Sequence, residues 1–442
     1  MNYIDVIKYL NSLERFGIQL GLERITKLLE LLGNPHKNLK CIHIAGTNGK
    51  GSVTTFIGEI LKSAGFKVGI YTSPHFISFT ERITINGIQI PESQVAEIIS
   101  KDILPAIDIL TRHSPTAHCH LTHPTYFEIT TAVAFTYFAQ EKVDIAVLEV
   151  GLGGRLDATN VVTPLVSVIT SVNLEHQDVL GKKLEQIAYE KAGIIKQGVP
   201  VVTAATQPAV IKVIKKAAKQ KNAPLYQLGK EIKFIIDKYP DLNSNYKFKV
   251  KGVLKEYRGL QTSLLGYHQI INATTSISTI EILQKHHGFK IATQDIKKGL
   301  LKAKIRGRLE LIKKNSISFL LDGAHNPASA SLLRKALKDY FPFRRLIFII
   351  GILDDKDIAG IIRELLYKNE NLYRVIITQS KINRAVQPEK IHQEVSKYTD
   401  KINILPTVEE SIKHAESIAT LADLICISGS LYTVAEAIED LS

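Results

Sequence analysis

The stretch Gly46-Thr47-Asn48-Gly49-Lys50-Gly51-Ser52 has residue types suited to holding phosphate. Glycines free backbone N–H groups to point at an anion, a following helix adds its positive N-terminus, and Lys50 supplies a point charge. Ser52 can offer a hydroxyl to Mg²⁺. The stretch departs from the G-x-x-x-x-G-K-[ST] pattern, because Ile44 and Gly51 stand where Gly and Ser or Thr belong. A plain glycine-rich turn between strand and helix is the alternative. Downstream, Glu149 ends one apolar run, and Asn173-Leu174-Glu175-His176 follows another. Both fall at strand tips beside the phosphate loop, where a carboxylate would hold Mg²⁺. Three polar groups share this setting: Thr72-Ser73-Pro74-His75 after a strand, Glu190-Lys191-Ala192-Gly193 on a helix, and the loop itself. A cluster of His113, His118, Cys119, His120 and His123 offers five further ligands. Its spacing fits no zinc pattern, and Pro115 and Pro124 mark it as a polar connection.

The elements that must position these groups follow from periodicity. Two helical pieces fill residues 1–40, with a loop over 16–22 and a stop at Gly33-Asn34-Pro35. A strand at 41–45, the loop, a helix from Val53 to Gly65 and a strand at 67–71 make a βαβ unit, hence a parallel sheet. Helices are expected at 91–110, 125–140 and 184–196, with strands at 144–150 and 165–170. Strands and a helix through Leu265 should complete this sheet, before a helix over 268–285. Residues 302–308 look like a hinge. Beyond it the rhythm restarts, with strands at 317–321, 346–350, 374–378, 402–405 and 424–428 and helices at 328–340 and 358–366. The expected architecture is α/β: a P-loop-type, mainly parallel sheet flanked by helices over residues 1–302, and a smaller Rossmann-like domain over 303–442. The second lacks G-x-G-x-x-G and is not read as a dinucleotide binder.

A chain of 442 residues exceeds one ordinary core, which supports two domains. No apolar run reaches membrane-spanning length, and Asp5 and Lys8 argue against a signal peptide at the start. Three widely spaced cysteines exclude a disulfide framework and point to a reducing cytoplasm. The net charge of +13 favours anionic ligands. Residues 212–258 carry 13 Lys/Arg against 4 Asp/Glu. No stacking platform accompanies them, so solvated lysines on a helix and hairpin are preferred to a nucleic-acid surface.

With these motifs laid out, the chain resembles the folylpolyglutamate synthase/dihydrofolate synthase family, relatives of the Mur ligases. The likeness runs through 46–52, Tyr71–His75, Glu81–Ile83, Phe127-Glu128, Glu149–Asn160 and Glu190–Gly193. It continues through His268-Gln269 with Asn272, Gly307-Arg308, Asp322–Pro327 and Asp355–Asp357. The resemblance implies an ATP-dependent ligase that joins L-glutamate to a carboxylate by way of an acyl phosphate. Positioning and cancelling negative charge would do most of the work.

By the same resemblance, Asn48, Gly49, Lys50, Gly51, Ser52, Asn272, Arg308 and Asp322 would contact ATP, bound between domains that close on it. Ser73, Glu149 and His176 would ligate Mg²⁺, of which two ions are implied. Lys191, as a cation, would oppose a metal; the family's matching lysine is carbamylated by CO₂ and becomes an anionic oxygen ligand. A lysine on a helix face is the alternative. His325 and Ser430 match the region expected to take glutamate, with His325 counted beside Lys50, His176 and Lys191 in the catalytic set. Ile18, Gln19, Leu20, Thr125, Leu156, Asp157 and Ala158 match the pterin-facing surface, with Gln19 standing where bifunctional relatives carry Asp. The substrates implied are tetrahydrofolate polyglutamates and, for a bifunctional member, 7,8-dihydropteroate, handled by a cytoplasmic monomer without nucleic acid or membrane. An extension-only synthase, an unrelated P-loop ATPase or GTPase switch, and a nucleic-acid binder using residues 212–258 are the competing readings.

Overall fold

In the computed structural model the described residues are 1–13, 17, 19–112, 123–239 and 245–441. The chain divides into two compact units. The first comprises Met1–Asp237, Phe248–Gln261 and Ile270–Ala303; the second comprises Lys238–Lys247, Thr262–Gln269 and Lys304–Ser442.

In chain order the first part runs α1 (Tyr3–Ser12), α2 (Glu23–Leu31), β1 (Cys41–Ala45), α3 (Lys50–Ser63), β2 (Val68–Tyr71), β3 (Ile83–Ile85) and β4 (Ile88–Gln89). Next come α4 (Glu92–Ile98), a π-turn at Ile99–Ile103, α5 (Leu104–Arg112), α6 (Tyr126–Gln140), β5 (Ile145–Glu149) and a 3₁₀ turn at Ala158–Val161. β6 (Val166–Ile169), α7 (Gln177–Leu180), α8 (Leu184–Ala192), β7 (Val201–Thr203), α9 (Pro208–Gln220) and β8 (Leu225–Gln227) follow. Among the described residues eight strands form one sheet, in the order β4-β3-β2-β5-β1-β6-β7-β8. The six strands from β2 to β8 are parallel, and the β3–β4 hairpin adds an antiparallel edge. β1, β5 and β6 are buried throughout, as central parallel strands covered on both faces must be.

The expectation that all strands through Leu265 extend this sheet is corrected. β9 (Lys233–Lys238), β10 (Lys247–Lys251) and β11 (Glu256–Leu260) form a separate antiparallel sheet. β10 alternates exposed and buried residues, which suits a sheet with one wet face. The helix expected at 91–110 is interrupted by the π-turn, and the one at 184–196 ends at Ala192.

α10 (Tyr267–His287) has buried positions all round despite a run of threonines and serines. Its hydroxyls donate back to carbonyls four residues earlier, at 2.8 Å for Thr275 to Ile271 O and 2.9 Å for Ser276 to Asn272 O. α11 (Thr293–Lys302) packs on α3, where any side chain at Gly299 would meet Ile60 backbone.

The second unit contains β12 (Glu310–Lys314), β13 (Ile317–Leu321), α12 (Pro327–Tyr340), β14 (Leu346–Ile350), α13 (Ile358–Leu366) and β15 (Leu372–Ile377). α14 (Pro388–Val395), β16 (Ile402–Ile404), α15 (Val408–Ile418), β17 (Leu424–Ser428) and α16 (Leu431–Leu441) complete it. Its sheet order is β12-β13-β17-β14-β15-β16, parallel except for β12. Among the described residues no helix is long and apolar enough to cross a membrane.

Candidate active site

The phosphate loop leaves the C-terminal end of β1, which is flanked by β5 and β6. Register pairs Ile44 with Glu149 and Ala45 with Ile169, so the ends of all three strands emerge together. β2 lies on the far side of β5, with Tyr71 opposite Leu148, which brings the loop holding Ser73 to the same edge. This is where open α/β sheets bind ligands.

The segment after β6 pins the loop. Thr47 N donates to Ser171 O at 2.7 Å, and Thr47 Oγ1 accepts from Asn173 N at 3.0 Å. Ser171 Oγ accepts from Asn48 N and donates to Asn48 O, each at 3.0 Å. Gly49 adopts φ +88°, the left-handed region, and a Cβ there would stand 2.5 Å from Asn272 Oδ1. The resemblance-derived Asn272 therefore sits against the loop. Lys50 Nζ folds back on Gly46 O and Thr47 O at 3.1 and 3.3 Å, holding its charge within the loop. Ser52 is buried in the first turn of α3. A Cβ at Gly51 would lie 3.7 Å from Glu149 Oε2, so this carboxylate faces the start of the helix. His176, with φ 50° and ψ 44°, caps α7 at the end of the β6 segment.

Lys191 lies in the last turn of α8 and is buried. Burial first, then the charge of Lys50, pulls its pKa down to about 7; Glu175 and Asp157 act the other way. The 153–155 loop is bound tightly to this turn. Arg155 N donates to Glu190 O at 2.7 Å, while its guanidinium forks onto the Glu190 carboxylate at 2.9–3.2 Å. Asn160 Nδ2 donates to Arg155 O at 2.9 Å and Gly193 O at 3.1 Å.

At the start of α6, Thr125 caps the helix through a reciprocal box with Glu128. Glu128 Oε2 accepts from Thr125 N, Thr125 Oγ1 and Arg24 Nε at 2.8, 2.9 and 3.1 Å. Arg24 also donates to Gln19 O at 2.8 Å, so Gln19, Thr125 and α2 are fastened by one buried carboxylate. Leu20 is exposed and Leu156 half-buried, while Ala158 enters the core shared with α2 and α6. Asp157 is buried and caps the 3₁₀ turn, accepting from Leu152 N, Thr159 N and Thr159 Oγ1. Its carboxylate is turned into its own loop, which makes it a positioning group. Ile18 and the cluster residues His113, His118, Cys119 and His120 lie outside the described residues. His123 hydrogen-bonds Tyr9 Oη at 3.1 Å and Pro124 O at 2.8 Å.

The second unit presents its own strand-end cluster. Leu321 pairs with Ile427, so the loop after β13 and the loop after β17 adjoin, joined by Gly429 N to Ala324 O at 3.0 Å. Asp322 is buried and accepts from Leu309 N and Ala324 N at 3.0 Å each. Desolvation raises its pKa against the opposing charge of Arg308, which lies nearby. His325 Nδ1 donates to Gly323 O at 2.8 Å, which fixes the ring's orientation. Ser430 is buried and its Oγ accepts from Tyr432 N and Thr433 N at 3.0 and 3.3 Å, capping α16.

Sequence reasoning missed the Thr47–Ser171–Asn173 pin, the Arg155–Glu190 fork and the Arg24–Glu128 pair. Of these, only the Thr125-x-x-Glu128 spacing carries a legible signal, a capping box.

Comparison with known proteins identifies the family. The Mur ligase middle domain matches residues 44–280, and the Mur ligase glutamate ligase domain matches 307–431. Dihydrofolate synthase/folylpolyglutamate synthase of Bacillus subtilis is 37% identical over 435 residues, covering 98% of each chain. The crystal structure of folylpolyglutamate synthase from Thermotoga maritima superposes with a TM-score of 0.85 at 38% identity, over 99% of this chain and 96% of that one. Mycobacterium tuberculosis folylpolyglutamate synthase, complexed with ADP and AMPPCP, gives 0.89 at 30% identity, over 99% and 97%. The chain belongs to the dihydrofolate synthase/folylpolyglutamate synthase family of Mur ligases.

Proposed function

We propose that the chain is an ATP-dependent ligase that adds L-glutamate to tetrahydrofolate polyglutamates and to 7,8-dihydropteroate. The observation that carries this is a phosphate loop pinned by the segment after β6, with Glu149 facing its helix and a buried Lys191 within reach of the Lys50 charge. A carboxylate must first be activated: one of its oxygens bonds the γ-phosphorus as the bond to ADP breaks. The glutamate amine then attacks the acyl carbon, phosphate leaves, and one proton is lost from nitrogen. Lys50 and the loop amides hold the charge of the transferring phosphoryl group. Asn48, Gly51, Ser52 and Asn272 orient the nucleotide on the first unit; Arg308 and Asp322, neighbours on the second, carry the family's further nucleotide positions. Ser430 and His325, the latter's ring fixed by Gly323 O, are the second unit's residues for the glutamate.

Glu149, which faces the start of the helix carrying Ser52, is the kind of oxygen donor that Mg²⁺ takes. Among the described residues no three His, Cys, Asp or Glu side chains cluster as a metal site. Ser73, Glu149, His176, Ser52 and phosphate oxygens would therefore have to hold the ions, two in number. Lys191 fits as a further donor only if its charge is reversed. With a pKa near 7 much of it is neutral amine, which adds CO₂ and releases one proton to give a carbamate. Bound Mg²⁺ would neutralise charge on the β- and γ-phosphates. We place the enzyme in the cytoplasm as a monomer; its described cysteines, Cys41 and Cys426, are free and buried, in keeping with a reducing compartment.

The test is phosphate release from ATP by the purified chain. Release should require L-glutamate together with dihydropteroate or tetrahydrofolate, and mass spectrometry should find products heavier by whole glutamyl units. Turnover with tetrahydrofolate alone would restrict the enzyme to chain extension. Release indifferent to glutamate would overturn the assignment.

A further inference from the structure

His43 sits in the middle of β1, three residues before the phosphate loop, and is fully buried. Its Nε2 lies 2.8 Å from Thr159 Oγ1, which in turn donates to Asp157 Oδ1 at 2.5 Å. Thr159 has a single hydroxyl proton, and the carboxylate takes it. His43 Nε2 must therefore be the donor to Thr159, which makes the ring the neutral Nε2–H tautomer. Its Nδ1 is buried with no hydrogen-bond partner, the arrangement that tautomer leaves behind. A second nitrogen left unpaired in the core is a cost that an apolar side chain would avoid. Burial and the charge of Lys196 hold the ring's pKa down to about 3, so the neutral form persists.

From this geometry we infer that His43 is a positioning residue for the folate side of the reaction. By donating to Thr159 it leaves the threonine hydroxyl only one direction, toward Asp157, and so fixes the loop carrying Leu156 and Ala158. The strand that delivers the phosphate loop thereby sets the substrate loop as well. This rests on the proposed function, since it assigns Leu156–Ala158 to the pteroyl substrate.

The test compares His43→Leu, His43→Gln and Thr159→Val with the parent enzyme. His43→Leu should raise KM for the pteroyl substrate by ~10-fold with less than ~2-fold change in KM for ATP. His43→Gln, which keeps an N–H donor, should recover most of that loss. Adding His43→Leu to Thr159→Val should cost little more than Thr159→Val alone, because both break one chain of contacts. Equal rises in both KM values, or a lowered melting temperature with unchanged KM values, would overturn the inference. Histidine ¹⁵N NMR of the unmutated, ligand-free protein gives an independent reading: the ring whose signals His43→Gln removes should remain neutral and Nε2-protonated down to pH ~5. A His43 ring protonated on Nδ1 would defeat the idea even if the enzyme used no pteroyl substrate at all.

Discussion

Arg155 and Glu190 are joined twice, by a guanidinium fork on the carboxylate and by a backbone bond of 2.7 Å between Arg155 N and Glu190 O. Glu190 immediately precedes Lys191, so the glycine loop after β5 and the last turn of α8 move as one piece. The side-chain pair is partly open to water, which limits its worth to stability to about 1 kcal/mol or less. Arg155→Ala should therefore lower kcat by ~10-fold or more while shifting the melting temperature by only a few degrees. Thermal melts and steady-state kinetics on the same preparation check this; a large fall in Tm with normal kcat would contradict it.

Lys50→Ala removes the charge at the transferring phosphoryl group. Turnover should fall by more than ~10³-fold, with the circular dichroism spectrum unchanged because the loop is pinned independently by Thr47 and Asn48. Near-normal turnover would disprove the phosphate assignment.

Lys191 gives a pH prediction with a definite sign. Its folded pKa, about 7, lies below its ordinary value of 10.5, so between these values the unfolded chain binds more protons than the folded one. In CO₂-depleted, ligand-free buffer, stability should rise with pH across this window. Lys191→Met should be more stable than the parent at pH ~7, with the gap closing toward pH ~10. Activity should require CO₂ and be lost in Lys191→Arg, which cannot be carbamylated. Full activity for Lys191→Arg without CO₂ would exclude the carbamate.

The Thr125–Glu128–Arg24 network predicts two unequal losses. Thr125→Ala deletes a helix cap and should cost ~1 kcal/mol. Glu128→Ala strips the partner from Arg24 and should cost ~3 kcal/mol, while also raising KM for the pteroyl substrate through Gln19. Denaturant melts set beside substrate titrations distinguish the two. Equal destabilisation by both would mean that Arg24 finds another partner.

What the sequence revealed, and what it hid, follows from the range of each signal. The strands at 41–45, 317–321, 346–350 and 424–428 were legible to the residue because each is a short, mostly apolar run bounded by polar or glycine residues. The β3–β4 hairpin spans three residues and two, too short for any period to register. β10 alternates cleanly, but nothing in alternation says which sheet a strand joins. At the site, Glu149, His176 and Lys191 were visible as polar residues at element ends. The His43–Thr159 contact joins residues 116 apart and leaves no trace in any local pattern. Asp157 was read toward substrate, whereas its oxygens serve its own loop; sequence shows a carboxylate but not its direction.

The bonds from Ser171 and Asn173 to Thr47 and Asn48 are made entirely by the chain's own groups. They order the loop without drawing on the nucleotide, so the conformational entropy of those residues is not charged against binding. Nucleotide association should then behave as docking to a rigid receptor, with its rate set by diffusion and charge. The Thr47 amide, bonded to Ser171 O, should exchange slowly with solvent deuterium in the empty enzyme and little more slowly in the loaded one.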